Sequence, residues 1–245
     1  VINWDDQQLS CEPDNVTDLE TFQKRIGYHF NDVRLLLRAL THPSYVNEHP
    51  EAGPDNQRLE FLGDAVLGFT VAYWVFEQYP DFKEGEMTRL RAALVRAETL
   101  ARFSAELALG EVLRLGHGEE SGGGRCRAAN LGDAFEALIG SLYLDGGIEP
   151  AQKLLDSLIE PAAEMILSAE ADKDVKSRFQ EWAQAVVGVT PRYQIVSESG
   201  PDHAKIFTAE VLLGNEVAGR GEGRSKQAAE RAAAREALTN YIDQS

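Results

Sequence analysis

The hydrophobic periodicity of this chain changes once, and that change limits its fold more than any other feature. From Leu19 to Leu167 apolar residues recur at steps of three and four, as in "DVRLLLRALTH", "AVLGFTVAYWVFEQY", "GEMTRLRAALVRAETLARFSAEL" and "LGDAFEALIGSLYL". Turn signals separate these runs: "HPEAGPDN", "YPDFKEG" and "GHGEESGGGR". Strand-like alternation is scarce there. A small, polar and charged stretch follows, "SAEADKDVKS", residues 168–177. Beyond it "VKSRFQEWAQAVV" reads as a helix, and "RYQIVSESG", "KIFTAEVLLG" and "NEVAGRGEG" alternate with period two. Ala-rich "SKQAAERAAAREALTNYI" is strongly helix-forming. The fold class expected is an all-α domain followed by an α+β module of order α-β-β-β-α. We assign residues 1–16 to a loose leader, 17–167 to the helical domain, 168–174 to a linker and 175–245 to the module.

Of the 245 residues, 43% are hydrophobic, enough for two cores. No apolar run approaches the roughly 20 residues that span a bilayer, and no signal-peptide pattern opens the chain, so no membrane partner is expected. Two cysteines, Cys11 and Cys126, support neither a disulfide framework nor a zinc site, and fit a reducing cytoplasm. The net charge of −16 argues against a nucleic-acid partner when read for the whole chain. Its distribution reverses that reading. From Asp174 onward there are 9 Lys+Arg against 10 Asp+Glu, whereas before it there are 15 against 30. Five basic residues of the last third fall between Arg220 and Arg235.

Two pairs of carboxylates interrupt apolar helices. In "NQRLEFLGDAVLG" Glu60 and Asp64 stand at i and i+4, and in "NLGDAFEALIGSLYLDGG" Asp133 and Glu136 stand at i and i+3, so each pair shares a helix face. The ordinary fate of such acids is the solvent side of an amphipathic helix. Their apolar neighbours point elsewhere: Phe61 and Leu62 in the first run, Ala134, Phe135, Ala137 and Leu138 in the second. Acids among such residues suffer desolvation unless paired or metal-bound. If the two helices pack together, four carboxylates meet, and they cannot all stay ionised without a cation. Oxygen-only ligands favour Mg²⁺ or Mn²⁺.

"NQRLEFLGD" resembles the signature segment of the ribonuclease III family, usually NERLEFLGD, and "LGDAFEALIGSLYLDGG" resembles that family's second acidic segment. "LTHPSYVNE", "EGEMTRLRAALV" and "GGGRCR" fall in the family's order and spacing. The resemblance covers nearly the whole chain from about Leu19. It implies an all-α endonuclease domain in which Glu60, Asp64, Asp133 and Glu136 hold Mg²⁺, with Mn²⁺ able to substitute and Asp64 and Glu136 in the catalytic role. It implies a cytoplasmic homodimer that hydrolyses each strand of double-stranded RNA, ribosomal precursors included, leaving 5′-phosphates and short 3′ overhangs. One position departs from the family: its first signature Glu is Gln57 here, an amide of the same shape without the charge. Reduced or altered activity is expected from it, not loss. Glu84, in "KEGEM", matches a further family acid, and a solvated turn residue is the alternative.

The last 70 or so residues resemble a double-stranded RNA-binding domain. The resemblance places Gln180 and Glu181 of its first helix at one minor groove and His203, in "GPDHAKIF", at a second. Arg224, Ser225 and Lys226, in "GEGRSKQAAE", fall near phosphates. A-form RNA suits this arrangement, because its shallow minor groove exposes 2′-hydroxyls while cations and a helix N-terminus meet the phosphates between. Many such domains have two adjacent lysines where this one has Lys226 and Gln227. One lost phosphate contact lowers the salt dependence by about one unit of slope. Two other readings stand beside the nuclease. A binding protein with a silent head has only Gln57 in its favour. A metal-carboxylate oxidase needs Glu-x-x-His pairs, which this chain lacks.

Overall fold

The computed structural model describes residues 19–201 and 205–241, the side chains of residues 170–174 excepted. The leader expected over residues 1–16, and His203, lie outside the described residues. The helices are α1 (Leu19–Ile26), α2 (Val33–Ala39), α3 (Pro43–Glu48), α4 (Gln57–Gln78), α5 (Glu84–Leu94), α6 (Ala97–Glu106), α7 (Leu109–Val112), α8 (His117–Ser121), α9 (Ala128–Gly146), α10 (Ile148–Trp182) and α11 (Lys226–Tyr241). Strands β1 (Arg192–Ser199), β2 (Ile206–Leu213) and β3 (Glu216–Gly223) precede α11. Contacts divide the chain into two compact units, Val1–Glu164 and Met165–Ser245. The stretch 168–174, expected as a linker, is helical throughout within α10. It contains no Gly or Pro to break a helix, and Ala, Glu and Lys are strong helix formers, so this composition favours helix.

In the first unit α4 and α9 pack together through glycine. A Cβ on Gly63 would run into the backbone carbonyl of Glu136 and stand 3.0 Å from the nitrogen of Gly140. A Cβ on Gly140 would meet the carbonyl of Leu59 and stand 3.1 Å from the nitrogen of Gly63. The two backbones therefore touch, and no side chain separates them. Phe22, Leu36, Leu40, Leu59, Leu67 and Phe135 are fully buried in this unit. Asp145, near the end of α9, accepts hydrogen bonds from the backbone of Asn31 and Asp32 (both 2.8 Å) and from the Tyr28 hydroxyl (2.8 Å), pinning the turn that starts α2.

α4 is 22 residues long and, among the described residues, is the one helix long and apolar enough to cross a bilayer by length and composition alone, an 18-residue window of it having a mean hydropathy of 1.4. Arg58, Glu60 and Asp64 interrupt it, and its backbone contact with α9 makes it a core helix of this unit. Its apolar residues divide between two faces. Leu59, Val66, Leu67, Val71 and Val75 are buried. Phe61 (83% exposed), Phe69 (63%), Tyr73 and Phe76 form an outer stripe. Phe61 is thus a surface residue and does not bury the neighbouring carboxylates.

The second unit is an antiparallel sheet in the order β1-β2-β3, with Arg192 opposite Leu212, Ser199 opposite Ile206 and Phe207 opposite Gly223. Its core gathers Phe179 from α10, Ala209 and Val211 from β2, Ala218 from β3, and Ala229, Ala233, Ala237 and Leu238 from α11. Small residues face small residues there: Gly219, Gly221 and Gly223 lie where a Cβ would clash with the alanines and backbone of α11. This explains why an Ala-rich helix follows a Gly-rich strand. Lys176 is tied to Glu230 of α11 at 2.7 Å, and its ammonium lies 4.2 Å from the centre of the Tyr193 ring, which fastens α10 to α11 across β1.

Candidate active site and nucleic-acid interface

The glycine contact brings the two acidic segments together. Gly63 stands between Glu60 and Asp64 in sequence, and its backbone lies on that of Glu136. Glu136, at the crossing, is pushed up to about 7 by burial first and then by Asp64, Glu60 and Asp133 in turn. Burial raises Glu60 above the usual carboxylate range, with repulsion from Asp133 and Asp55 adding to it. Burial also raises Asp133, while His42 draws it back down. Glu136 thus feels Asp133 on its own helix and both acids of α4. Among the described residues, no group of three or more His, Cys, Asp or Glu side chains has closed to ligating distance. The carboxylates repel one another, and a hard cation is the group whose binding reverses that repulsion. An all-oxygen, four-carboxylate donor set fits a divalent ion of that class.

Neighbouring segments hold these helices in place. His42 caps the start of α3, its ring Nδ1 accepting from the Ser44 backbone N–H at 3.1 Å. The Thr41 carbonyl accepts from Asn56, at the start of α4 (2.9 Å). The Ser44 hydroxyl accepts from the Gly116 N–H at 2.9 Å. This is what "LTHPS" does: it joins the entry of α4 to the loop before α8. At the other end, Glu119 of α8 accepts from Asn130 of α9 at 2.8 Å and is ion-paired with Arg127, the residue just before that helix. The hydrogen bond from Asn130, ahead of the pull of Arg127, holds the Glu119 carboxyl below its usual range. Arg125 donates to the carbonyls of Gly110 (3.0 Å) and Leu113 (2.7 Å), so the basic residues of "GGGRCR" are committed within the protein. Glu119 and Asn130 were not singled out in the sequence. A polar residue one turn before an acidic pair was the only signal available.

Other expected residues lie apart from the acidic cluster. Gln57 is the first residue of α4, exposed, one turn before Glu60. Glu84 is the first residue of α5 and lines a cavity of about 180 Å³ with Val75, Phe76, Met87 and Arg91, towards the far end of α4. None of the raised cluster acids feels Glu84.

In the second unit Gln180 and Glu181 are exposed in the last turn of α10. Arg224 and Ser225 are exposed before α11, and the Ser225 hydroxyl accepts from the Ala228 N–H at 3.1 Å, capping the helix. Lys226 opens α11 and is 3.6 Å from Glu198 of β1.

The comparisons with known proteins follow the same division. Residues 32–162 match the Ribonuclease-III-like family, and residues 175–241 match the double-stranded RNA binding motif. Ribonuclease 3 of Geobacter sulfurreducens is 45% identical over 96% of this chain and 94% of its own length. Ribonuclease 3 of Bacillus cereus is 46% identical over 92% of each. A solved nuclease domain of ribonuclease III from Campylobacter jejuni, described for flexibility in the region involved in dimer formation, is 37% identical with a TM-score of 0.55. It covers 59% of this chain and 98% of its own. With its acidic helices crossed at glycine and an RNA-binding motif following them in sequence, the chain belongs to the ribonuclease III family.

Proposed function

We propose that this protein is a divalent-metal-dependent endoribonuclease that hydrolyses both strands of double-stranded RNA, leaving 5′-phosphates and short 3′ overhangs. One observation supports the reading: Glu136, whose backbone lies against Gly63 of α4, is raised to about 7 by burial first and then by Asp64, Glu60 and Asp133. Glu60, Asp64, Asp133 and Glu136 would hold Mg²⁺, with Mn²⁺ able to substitute, and Asp64 and Glu136 take the catalytic role. When bound, the ion supplies charge for a phosphoryl oxygen and a water of lowered pKa. The chain itself supplies the rest. α4 and α9 fix the acids before substrate arrives, and the Glu119–Asn130 contact fixes where α9 begins. Gln57 tunes the rate from one turn away.

The acidic cluster repels RNA, so the grip must come from elsewhere. Gln180 and Glu181 at the end of α10, and Arg224, Ser225 and Lys226 at the start of α11, are the residues we assign to duplex RNA; His203 joins them from the sequence motif. Their exposure supports the reading. The outer stripe of α4, Phe61, Phe69, Tyr73 and Phe76, supports a homodimer through the nuclease domain. Ribosomal RNA precursors are the first substrates to try, and the cytoplasm is where we place the work.

The test is a labelled RNA duplex incubated with and without Mg²⁺, using the protein and its Glu136→Gln, Asp64→Asn and Gln57→Glu variants. Staggered, Mg²⁺-dependent cuts that disappear in the first two variants and quicken in the third are expected. Binding without cuts in the protein and in Gln57→Glu would leave an RNA-binding protein with a silent head.

A further inference from the structure

The second unit contains two Lys–Glu pairs of opposite character. Lys176–Glu230 is short at 2.7 Å, is largely shielded from solvent and lies against the Tyr193 ring, so it belongs to the architecture. Lys226–Glu198 is longer, 3.6 Å, and its side chains are 62% and 45% exposed. Exposed pairs of that kind add little to stability. Yet this pair occupies a particular place. Lys226 opens α11, where a duplex phosphate would meet a helix N-terminus and a cation. Glu198 lies in β1 opposite Phe207, and the Lys226 ammonium sits 5.8 Å from the centre of the Phe207 ring. The lysine rests between an aromatic face and a carboxylate, and that carboxylate lies close to where a phosphate would come.

We infer that Glu198 limits the affinity of this protein for duplex RNA by competing with phosphate for Lys226. This rests on the reading that Lys226 contacts RNA. A phosphate approaching Lys226 must displace the Glu198 carboxylate or tolerate it as a like charge a few ångströms away. Either way the lysine contributes less than a free one. With Gln227 in the next position, Lys226 has no lysine beside it to make up the difference.

The test is a double-mutant cycle on the full chain. Glu198→Gln, Lys226→Gln and the double variant are titrated with a fluorescent RNA duplex in EDTA, which prevents cleavage, from low to high KCl. Glu198→Gln is expected to tighten binding about three- to fivefold at low salt. It should also steepen the salt dependence, by at most the roughly one unit that a phosphate contact carries. In the Lys226→Gln background the gain should vanish. An equal gain in both backgrounds would show that Glu198 acts only through net charge and would overturn the inference. No gain from Glu198→Gln, while Lys226→Gln weakens binding, would overturn it and leave the RNA contact standing. Unchanged binding by Lys226→Gln would remove that contact and the inference with it. Both positions are exposed, so thermal unfolding should be unchanged and confirms that each variant is folded.

Discussion

Gly63 lies directly on the backbone carbonyl of Glu136, with no room for even a methyl group between them. The position of α9 against α4, and so the separation of the two acidic pairs, depends on that missing side chain. Gly63→Ala must push the helices apart, because what it meets is backbone and cannot rotate away. A loss of about 3 kcal/mol or more is expected, at the upper end of overpacking costs. For a unit of this size that is a drop of roughly 6–12 °C in thermal unfolding. Gly118→Ala, where an added Cβ meets nothing within 4 Å, is the control and should leave the melting temperature unchanged. Cleavage should fall in Gly63→Ala even at temperatures where the protein stays folded.

Glu136 makes the metal-free protein sensitive to pH. Its carboxyl is raised to about 7 in the folded protein, by burial and by Asp64, Glu60 and Asp133, against an ordinary value of 4.5. Between those values the folded protein holds a proton that the unfolded chain has lost. The stability contributed by this group is therefore greatest below the ordinary carboxylate range and falls as pH rises towards 7. Thermal unfolding in EDTA across this range should show the melting temperature of Glu136→Gln rising relative to the parent as pH increases, while its cleavage is lost. Parallel curves would sink the assignment.

Asp145 contributes in the opposite direction. Burial pushes its carboxyl up, but hydrogen bonds from Asp32, Asn31 and Tyr28 more than offset that and hold it below 3.8. Its contribution is present above 3.8 and is lost as pH falls through the lowered value. Asp145→Ala leaves several donors without their acceptor and should cost about 2 kcal/mol near neutral pH. Denaturant unfolding at neutral and strongly acidic pH checks this: the deficit should shrink in acid.

The outer face of α4 yields a test of assembly. Phe69 is 63% exposed in the single chain, so a charge there costs the fold little. If the Phe61–Phe76 stripe is a dimer surface, Phe69→Glu places a carboxylate in its middle. The dissociation constant of the dimer should rise by at least about 30-fold, the size of one strong interface residue. Sedimentation at several concentrations would detect it as a shift towards monomer. An unchanged dimer would move the interface elsewhere.

Much of this structure was legible before the coordinates. Periodicity separates the helical unit from the sheet, and turn residues bound β1, β2 and β3 closely. The acidic pairs were visible because each breaks an apolar run at helical spacing. What the sequence hid was tertiary. Glu60 and Glu136 are distant in the chain, and their meeting depends on Gly63 and Gly140, whose importance lies in what they lack. The helical state of residues 168–174 is legible in their composition but not in the polarity that marks them as a connection. The exposure of Phe61 was not derivable, because local pattern cannot say which apolar face of α4 another element covers. The pairing of Lys226 with Glu198 of β1 has no local signature in the sequence.

α4 has three faces, and each is committed: one to the glycine contact and the buried leucines, one to Glu60 and Asp64, one to the outer aromatic stripe. An ordinary amphipathic helix tolerates change on its solvent side, and a library of variants shows that tolerance as a gap every three or four residues. Along Leu59–Phe76 that gap narrows to positions such as Ala65, which is exposed, and Gly68, around which an added Cβ meets nothing within 4 Å. A complete substitution scan scored for RNA cleavage should find tolerance confined there and intolerance on the other sides, for three different reasons in rotation.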